Sequence, residues 1–354
     1  MTSPRPPHST NSPPALHRID RFYIVREIGR GGLGVVHLAR DPVIDRNVAI
    51  KTLSPRLSAV EKKQAETRFV NEARAVGGLA HPNIVTIYDA NIESDPAYLI
   101  MEYLEGSELS RMLDSGRIFP PSEIASIVRK LADALAYAHR QGVIHRDIKP
   151  GNVFILAGNQ PKIFDFGIAQ VLNRVSSTAG LPDGPTLEDD TTTSLHDNLA
   201  GTPNYMSPEQ AAGRPVNNLT DIYSLGAVMY EMLAHRRPFQ YDTTEEVLDA
   251  IANRTPPAPH QLNKAIAPVL SQIAMKAMSK QPQERYQSGE EMALDLGRYL
   301  ALHKRVRSKV SAARSEEDDD LPALPTRLPQ FALAGLLAAA AGAAYFWLRM
   351  KGLA

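Results

Sequence analysis

The sequence predicts an α+β protein with two lobes, a small β-rich lobe carrying one helix and then a larger lobe that is mainly helical. Three observations predict this order. Strand-like apolar runs broken by glycines extend to about residue 105, helical periodicity dominates from Glu108 onward, and 354 residues with 43% hydrophobic content can bury a core of this size. We place the small lobe at residues 21–105 and the large lobe at residues 106–303.

The small lobe contains most of the strand signals. From Phe22 to Val36 the apolar pattern is interrupted by glycines, which predicts a strand, a glycine turn and a second strand, and Asn47–Leu53 predicts a further short strand. Apolar residues then recur at helical spacing between Val60 and Leu79, which predicts one long helix. Two more strand-like runs follow, at Ile84–Tyr88 and Tyr98–Tyr103.

The large lobe is predicted from apolar helices. Apolar residues from Ile124 to Ala138 share one helical face that Gly142 ends, and Ile222–Leu233 predicts another apolar helix. Residues 170–200 are instead rich in Ser, Thr, Asp, Gly and Pro with little apolar periodicity, and we expect a mobile loop there.

Composition excludes several functional classes. Lys plus Arg and Asp plus Glu number 39 each, so no basic surplus indicates a nucleic-acid surface, and we expect no nucleic-acid partner. The absence of cysteine excludes disulfides, thiolate catalysis and cysteine-ligated zinc, and it favours a reducing compartment.

Both ends of the chain differ from the two lobes. Residues 1–20 are rich in Pro and Ser without a signal-peptide core, and we expect a disordered leader. Residues 304–330 read as a charged, proline-containing linker next to the membrane. Residues 331–348 carry no charge and are long enough to form a single transmembrane helix, with residues 349–354 as a short tail; a buried alanine-rich helix is the alternative. The excess of Lys and Arg before this segment favours a cytoplasmic N-terminal side.

A glycine motif and a lysine suggest a phosphate site. Gly29, Gly31 and Gly34 have the spacing GxGxxG between two predicted strands, where backbone N–H groups can approach a nucleotide; an ordinary glycine hairpin is the alternative. Lys51 ends the apolar strand that follows. A lysine there is either a surface residue or a phosphate ligand, and Glu72 on the predicted helix can supply its counter-charge.

The densest group of polar residues lies in the segment VIHRDIKPGNV, residues 143–153. Phosphoryl transfer needs an acceptor for the hydroxyl proton, a cation beside the transferred group, and hard oxygen ligands for magnesium. Asp147 suits the first role and Lys149 the second. Asn152, together with Asp165 of the following DFG triplet, suits the third.

The glycine loop, Lys51, Glu72, HRDIKPGN and DFG occur in one order with domain-sized spacings. This combination resembles the eukaryotic-like protein kinase family over Phe22–His303. The sequences of its motifs look most like those of the bacterial, membrane-anchored serine/threonine members. The resemblance implies a bilobal protein-kinase fold with an activation segment at residues 165–209. It also implies ATP with Mg²⁺ in the cleft, Mn²⁺ being an alternative.

The resemblance assigns roles residue by residue. Asp147 becomes the catalytic base, and Asn152 and Asp165 become the metal ligands. Lys51, paired with Glu72, becomes the ligand of the α and β phosphates, and Lys149 stays beside the transferred phosphoryl group. The residues implied to bind the nucleotide are Ile28, Gly29, Arg30, Gly31, Gly32, Leu33, Gly34, Val35, Val36, Ala49, Lys51, Met101, Glu102, Leu104 and Phe154.

Later markers agree with the resemblance. The segment from Gly201 to Glu209 resembles the end of an activation segment, with Ser207 where the family usually has Ala. Within the family, Asp221 would anchor the catalytic loop and Arg285 would pair with Glu209.

Regulation is implied by the residue before the catalytic base. Arg146 would join a basic pocket for a phosphorylated activation loop. We expect autophosphorylation among Thr191, Thr192, Thr193 and Ser194, the alternative being that these residues only keep the loop soluble.

The implied function is a protein serine/threonine kinase in signalling, with protein Ser/Thr hydroxyls as substrates, a membrane anchor at the C-terminal end and a homodimer compatible with the resemblance. A pseudokinase scaffold would normally lack Lys51, Asp147 or Asp165, and all three are present. A small-molecule kinase would typically lack the segment that ends the activation loop.

Overall fold

The computed structural model describes residues 18–31, 34–53, 77–91, 94, 96–166 and 203–319, together with residues 63, 66, 67, 70, 73, 74 and 76. These seven positions between 63 and 76 are all helical, in agreement with the helix predicted there. A boundary between two compact units falls between Leu302 and His303.

The small lobe is a six-stranded antiparallel sheet with strand order β1-β2-β3-β4-β6-β5. The strands are β1 Arg18–Ile19, β2 Phe22–Gly31, β3 Gly34–Asp41, β4 Arg46–Leu53, β5 Ile87–Asn91 and β6 Tyr98–Glu102. The register of β3 and β4 pairs Val36 with Lys51, so the end of the glycine hairpin and the lysine share one point of the sheet.

Two predicted boundaries need correction. Arg18 and Ile19 pair with Tyr23 and Phe22, so the ordered fold includes residues that we had assigned to the leader ending at residue 20. The fifth strand begins at Ile87 rather than at Ile84, because Ile84 makes an isolated parallel bridge with Ile163 of the other lobe.

A three-stranded sheet opens the large lobe and carries the polar loop of residues 143–153. Its strands are β7 Gly106–Glu108, β8 Val153–Leu156 and β9 Gln160–Ile163, in the order β7-β8-β9. Asp165 lies two residues beyond β9, and Asn152 directly precedes β8, so one strand pair fixes both positions.

The rest of the large lobe is helical. Its α-helices are α1 Leu109–Asp114, α2 Pro121–Arg140, α3 Pro208–Ala211, α4 Asn218–Ala234, α5 Thr244–Asn253, α6 Pro259–Leu262, α7 Pro268–Ala277 and α8 Gly289–Asp319. The side chains of α2 and α4 supply much of the main core. Helix α4 approaches α7 closely at Gly226, where a Cβ atom would lie 2.7 Å from Cβ of Ala277.

Helix α8 continues through the beginning of the predicted linker to Asp319. Within the described part of the chain, no helix has the length and apolar character needed to span a membrane. The predicted span at residues 331–348 lies outside the described residues, so it stays a prediction.

Candidate active site

A cavity of about 340 Å³ lies in the cleft between the two lobes, a volume that accommodates a small-molecule ligand. Many of the residues predicted to bind a nucleotide line it: Ile28, Gly29, Val36, Ala49, Lys51, Met101, Glu102, Leu104 and Phe154. Leu104 lies between β6 and β7, and the others come from β2, β3, β4, β6 and β8, so the cavity takes residues from both sheets.

Other residues of the predicted glycine loop have different positions. Arg30, Gly31, Gly34 and Val35 lie in β2 and β3 outside the lining of the cavity, and Gly32 and Leu33 lie outside the described residues. A Cβ atom on Gly34 would lie 1.9 Å from the carbonyl oxygen of Thr52. This glycine is therefore required by the close approach of β3 and β4, whatever ligand binds.

Sequence reasoning missed part of the lining. The additional residues are Arg26, Val76, Val85, Ile87, Leu99, Gly106, Ser107, Glu108, Arg111, Phe164 and Phe166, whereas Tyr103, which also lines the cavity, falls within the predicted nucleotide-binding stretch Met101–Leu104. Most of them are apolar and resemble ordinary core residues in the sequence. The polar exceptions are Arg26, Ser107, Glu108 and Arg111. Glu108 and Arg111 form an ion pair at 3.3 Å, and only their position after the change of period near Gly106 could have indicated them.

The polar loop brings three predicted catalytic residues together. Asn152 donates both hydrogen bonds of its Nδ2 to Asp147, to the backbone oxygen at 2.8 Å and to Oδ2 at 2.9 Å. The ammonium group of Lys149 lies 2.7 Å from the same Oδ2. Asp147 is about half exposed, so its carboxylate is oriented by two neighbours while it stays accessible to a substrate.

Lys51 and Asp165 form an ion pair across the cleft. The pair joins β4 of the small lobe to the segment after β9 of the large lobe. Glu72, the partner predicted for Lys51, lies outside the described residues, so the predicted Lys51–Glu72 pair is untested.

His145 is fully buried beneath this loop and has one tautomer that fits its contacts. Its Nδ1 accepts the backbone N–H of Asp147 at 3.2 Å, so Nε2 carries the proton and donates to the carbonyl of Phe164 at 3.2 Å. Burial lowers the pKa of His145, which keeps the ring neutral as these contacts require. The imidazole thus ties the loop of Asp147 to the segment of Asp165.

Asp221 in α4 anchors the loop from below, as the resemblance implied. Its carboxylate accepts the backbone N–H groups of His145 at 2.8 Å and Arg146 at 2.7 Å, and it lies 2.8 Å from Nε2 of His139. These bonds fix the backbone at Arg146, which has a left-handed conformation with φ of 67°.

The predicted pair of Glu209 and Arg285 is present and buried. Arg285 donates to both carboxylate oxygens of Glu209, at 2.8 and 2.7 Å. Its remaining donors bind the carbonyls of Ser279, Leu219 and Lys280, so all five N–H groups of the guanidinium are used. Burial opposes ionisation of Glu209, but Arg285 outweighs it and lowers the pKa of this carboxyl to about 2.

A second ion pair, which sequence reasoning missed, joins the two sheets at the cleft. The ammonium group of Lys162 in β9 lies 2.8 Å from Oε2 of Glu102 in β6 and donates to the carbonyl of Ile84 at 3.3 Å. The strand that leads to Asp165 is thereby tied to the strand end that lines the cavity.

A family model described as the protein kinase domain matches residues 22–295. The chain belongs to the protein kinase family. The match covers both lobes and includes the glycine hairpin, the loop of Asp147 and the pair of Glu209 and Arg285.

Curated relatives are bacterial serine/threonine-protein kinases. The chain is 38% identical over 281 residues to a probable serine/threonine-protein kinase of Streptomyces coelicolor, covering 78% of this chain and 39% of that protein. It is 36% identical to PknB of Mycobacterium leprae, covering 79% of this chain and 43% of PknB. For PrkC of Bacillus subtilis the identity is 35%, with 78% and 40% covered. The chain therefore spans less than half the length of these relatives.

The solved structures agree on the fold. The crystal structure of the PknI kinase domain of Mycobacterium tuberculosis matches with a TM-score of 0.58 at 23% identity, covering 80% of this chain and 97% of that domain. The bilobal protein-kinase fold predicted from the sequence is confirmed.

Several predicted site residues remain untested. Thr191, Thr192, Thr193 and Ser194 lie outside the described residues, as do most residues of the predicted activation segment. Arg146 is described, and its side-chain Nε is buried without a hydrogen-bond partner among the described residues.

Proposed function

We propose that this chain is a protein serine/threonine kinase that transfers the γ-phosphoryl group of ATP to Ser or Thr hydroxyls of proteins. The observation that carries the proposal is the arrangement of Asp147, Lys149 and Asn152 at the same cleft as the Lys51–Asp165 pair. The names of the curated relatives support the same activity. Lys51, Asp147 and Asp165 are all in place, so no observation favours a scaffold without activity.

In this proposal, each residue acts on one part of the transfer. The substrate hydroxyl oxygen bonds to the γ-phosphorus while the bond from that phosphorus to the β–γ bridging oxygen breaks, and ADP leaves with the electron pair. The Asp147 carboxylate accepts the hydroxyl proton, and the Lys149 ammonium balances charge on the transferred group. The Lys51 ammonium group leaves its contact with Asp165 and binds the α and β phosphates instead.

The donor set fits a magnesium ion that arrives with the nucleotide. Among the described residues no group of three or more His, Cys, Asp or Glu side chains could hold a metal. Magnesium in phosphoryl-transfer sites is instead held by one or two protein oxygens together with substrate phosphates and water. Asp165 offers a carboxylate, and Asn152, whose amide hydrogens bind Asp147, offers Oδ1. Bound magnesium would neutralise phosphate charge during transfer.

The proposal includes a cellular setting. We propose a single-pass membrane anchor at residues 331–348, with the kinase domain in the cytoplasm and substrates on proteins there. We also propose that the chain autophosphorylates within residues 191–194 and that Arg146 binds the resulting phosphate. A homodimer of the chain is the last part of the proposal.

The test compares the full chain with its Asp147→Asn variant. Both are incubated with labelled ATP, Mg²⁺ and a generic basic protein, and phosphoserine and phosphothreonine are measured. We expect label on protein that falls by at least about a hundredfold in the variant, because the amide cannot accept the proton. A folded, ATP-binding wild type that transfers no label, even after treatment with an activating kinase, would instead indicate a scaffold.

A further inference from the structure

The side chain of Gln210 forms two hydrogen bonds that connect the end of the activation segment to the catalytic loop. Its Oε1 accepts the backbone N–H of Ser207 at 3.0 Å, which completes a capping box at the start of α3. Its Nε2 donates to the backbone carbonyl of Arg146 at 2.8 Å. One amide thus bridges two segments that are 64 residues apart in the sequence.

The bond to Arg146 reaches the peptide group that directly precedes Asp147. The oxygen of this group is held by Gln210, and its N–H, which belongs to Asp147, is held by His145 at 3.2 Å. Arg146 itself has φ of 67°, a conformation that non-glycine residues adopt only when surrounding contacts impose it. These two bonds fix the orientation of the peptide group that enters Asp147.

The other side of the bridge is firmly held. Ser207 is fully buried and caps α3, and Glu209 binds both Arg285 and the hydroxyl of Thr220, the latter at 2.8 Å. Helix α3 is therefore fixed to α4 and to the segment before α8. The hydrogen bond from Gln210 to the carbonyl of Arg146 ties the catalytic loop to this fixed helix.

We propose that Gln210 is a positioning residue for Asp147, because its Nε2 holds the strained peptide before the base while its Oε1 caps α3. The inference rests on the proposed kinase function for its consequence in catalysis. The bridge needs an acceptor and a donor at the end of the same side chain. Glutamate supplies only the acceptor when ionised, and methionine supplies no donor and only a weak acceptor.

The first test measures kcat and KM for ATP in the full chain, the Gln210→Glu variant and a matched Gln261→Glu variant. Gln261 is exposed and caps α6 in the same way, its Oε1 accepting the N–H of Ala258 at 3.1 Å, and among the described residues it forms no hydrogen bond to the catalytic loop. We expect Gln210→Glu to lower kcat by at least about tenfold, because the carbonyl of Arg146 loses its donor and meets a carboxylate oxygen. KM for ATP should stay within about twofold, and Gln261→Glu should behave as wild type.

A pH series separates positioning from packing. When the introduced carboxyl is protonated, it regains a donor beside its acceptor, so the kcat of Gln210→Glu relative to wild type should rise as the pH falls from 8 to 5.5. The ratio for Gln210→Met should stay flat over this range. The charged groups nearest the bridge are Arg146, Asp147 and Asp221 on the loop side and Glu209 and Arg285 on the anchor side. They are present in all three proteins, and Gln210→Met, which adds no charge, reports their own contribution to the pH dependence.

A measurement that needs no activity completes the test. Amide hydrogen exchange of the segment 145–148 in the native chain should be about tenfold faster in Gln210→Glu and in Gln210→Met, but unchanged in Gln261→Glu. Unchanged exchange, or a kcat within twofold of wild type, would overturn the inference. A loss of kcat accompanied by equal changes in KM and in exchange throughout α3 and α4 would also overturn it, since that pattern indicates general loosening. An inactive wild type with the expected exchange pattern would refute the proposed function and leave the bridge supported.

Discussion

Two residues of the candidate active site have a left-handed backbone, Arg146 with φ of 67° and Asp165 with φ of 59°. Such conformations cost about 1–3 kcal/mol in non-glycine residues and persist only where neighbouring contacts impose them. At Arg146 the contacts are the bonds from its N–H to Asp221 and from Gln210 to its oxygen. Strain is therefore concentrated where the proposed chemistry needs a fixed carboxylate.

The pH dependence of stability should reveal the buried pair of Glu209 and Arg285. The pKa of Glu209 is lowered from 4.5 to about 2, so ionised Glu209 stabilises the fold fully above pH 4.5, and this contribution is lost as the pH falls towards 2. We predict that Glu209→Gln lowers the free energy of unfolding by about 3 kcal/mol at pH 7, because it leaves Arg285 partly unpaired in the core.

The measurement is urea denaturation of wild type and variant at pH 7, 5 and 3, and the difference between them should shrink at the lowest pH. Glu245→Gln, at an exposed position of α5, is the control and should change the free energy of unfolding by no more than about 0.5 kcal/mol at any pH. A difference for Glu209→Gln that stayed constant with pH would contradict the role assigned to the carboxylate.

At the scale of elements, the large lobe depends on how closely α4 packs against α7. A Cβ atom at Gly226 would lie 2.7 Å from Cβ of Ala277 and 3.0 Å from Cγ of Met278. Real contacts are not this short, so a larger residue must push the two helices apart. Asp221, which holds the catalytic loop, lies in the same helix α4.

Alanine substitutions at two helical glycines should therefore have opposite effects. We predict that Gly226→Ala lowers the free energy of unfolding by about 1–3 kcal/mol through overpacking. Gly297→Ala in α8, whose Cβ would meet only Cδ of Arg129 at 3.9 Å, should raise it by up to about 1 kcal/mol, since alanine favours the helix. The measurement is thermal unfolding of both variants and the wild type. Changes in the free energy of unfolding with the same sign in both variants would show that the packing argument is wrong.

The sequence predicted most elements because their signals are local. Glycines between apolar runs gave β2 and β3, and an apolar face ended by Gly142 gave α2, whose end at Arg140 agrees with that signal. Ile84 was placed in a strand because its neighbours are apolar, whereas its position is decided by a bridge to Ile163, far along the chain. Local patterns carry no information about such a partner.

The candidate active site shows the same difference between residues with a local sequence signal and residues whose role depends on distant contacts. Asp147, Lys149, Asn152 and Asp165 were identified because phosphoryl transfer needs these residue types in two short motifs. Gln210 and Lys162 were missed, because an amide or a lysine in those positions has no chemical signature in the sequence. Their importance appears only when distant segments meet, at Arg146 for Gln210 and at Glu102 for Lys162.

At the scale of the whole molecule, the kinase domain is the part shared with longer relatives, of which the match covers 39–43%. A separate prediction concerns residues 331–348, which follow α8 in the sequence. Deleting residues 331–348 should move the protein from the membrane fraction to the supernatant of expressing cells, if the uncharged segment is the anchor. The test is ultracentrifugation followed by quantification of both fractions, with a deletion of residues 1–15 as the control. Full-length protein found mainly in the supernatant would favour the alternative of an alanine-rich helix buried in protein.

Strand β1 affects how readily a protease can cut the native protein near its first strand. Arg18 pairs with Tyr23 in the sheet, and its guanidinium packs over the ring of Tyr23 at 5.0 Å. A trypsin-like enzyme needs an extended, accessible chain on both sides of the bond it cuts, and the bond after Arg18 is engaged in β1. Digestion at this bond must wait until β1 separates from β2, so proteolytic trimming of the native protein from its N-terminal side is slowed at the edge of the sheet.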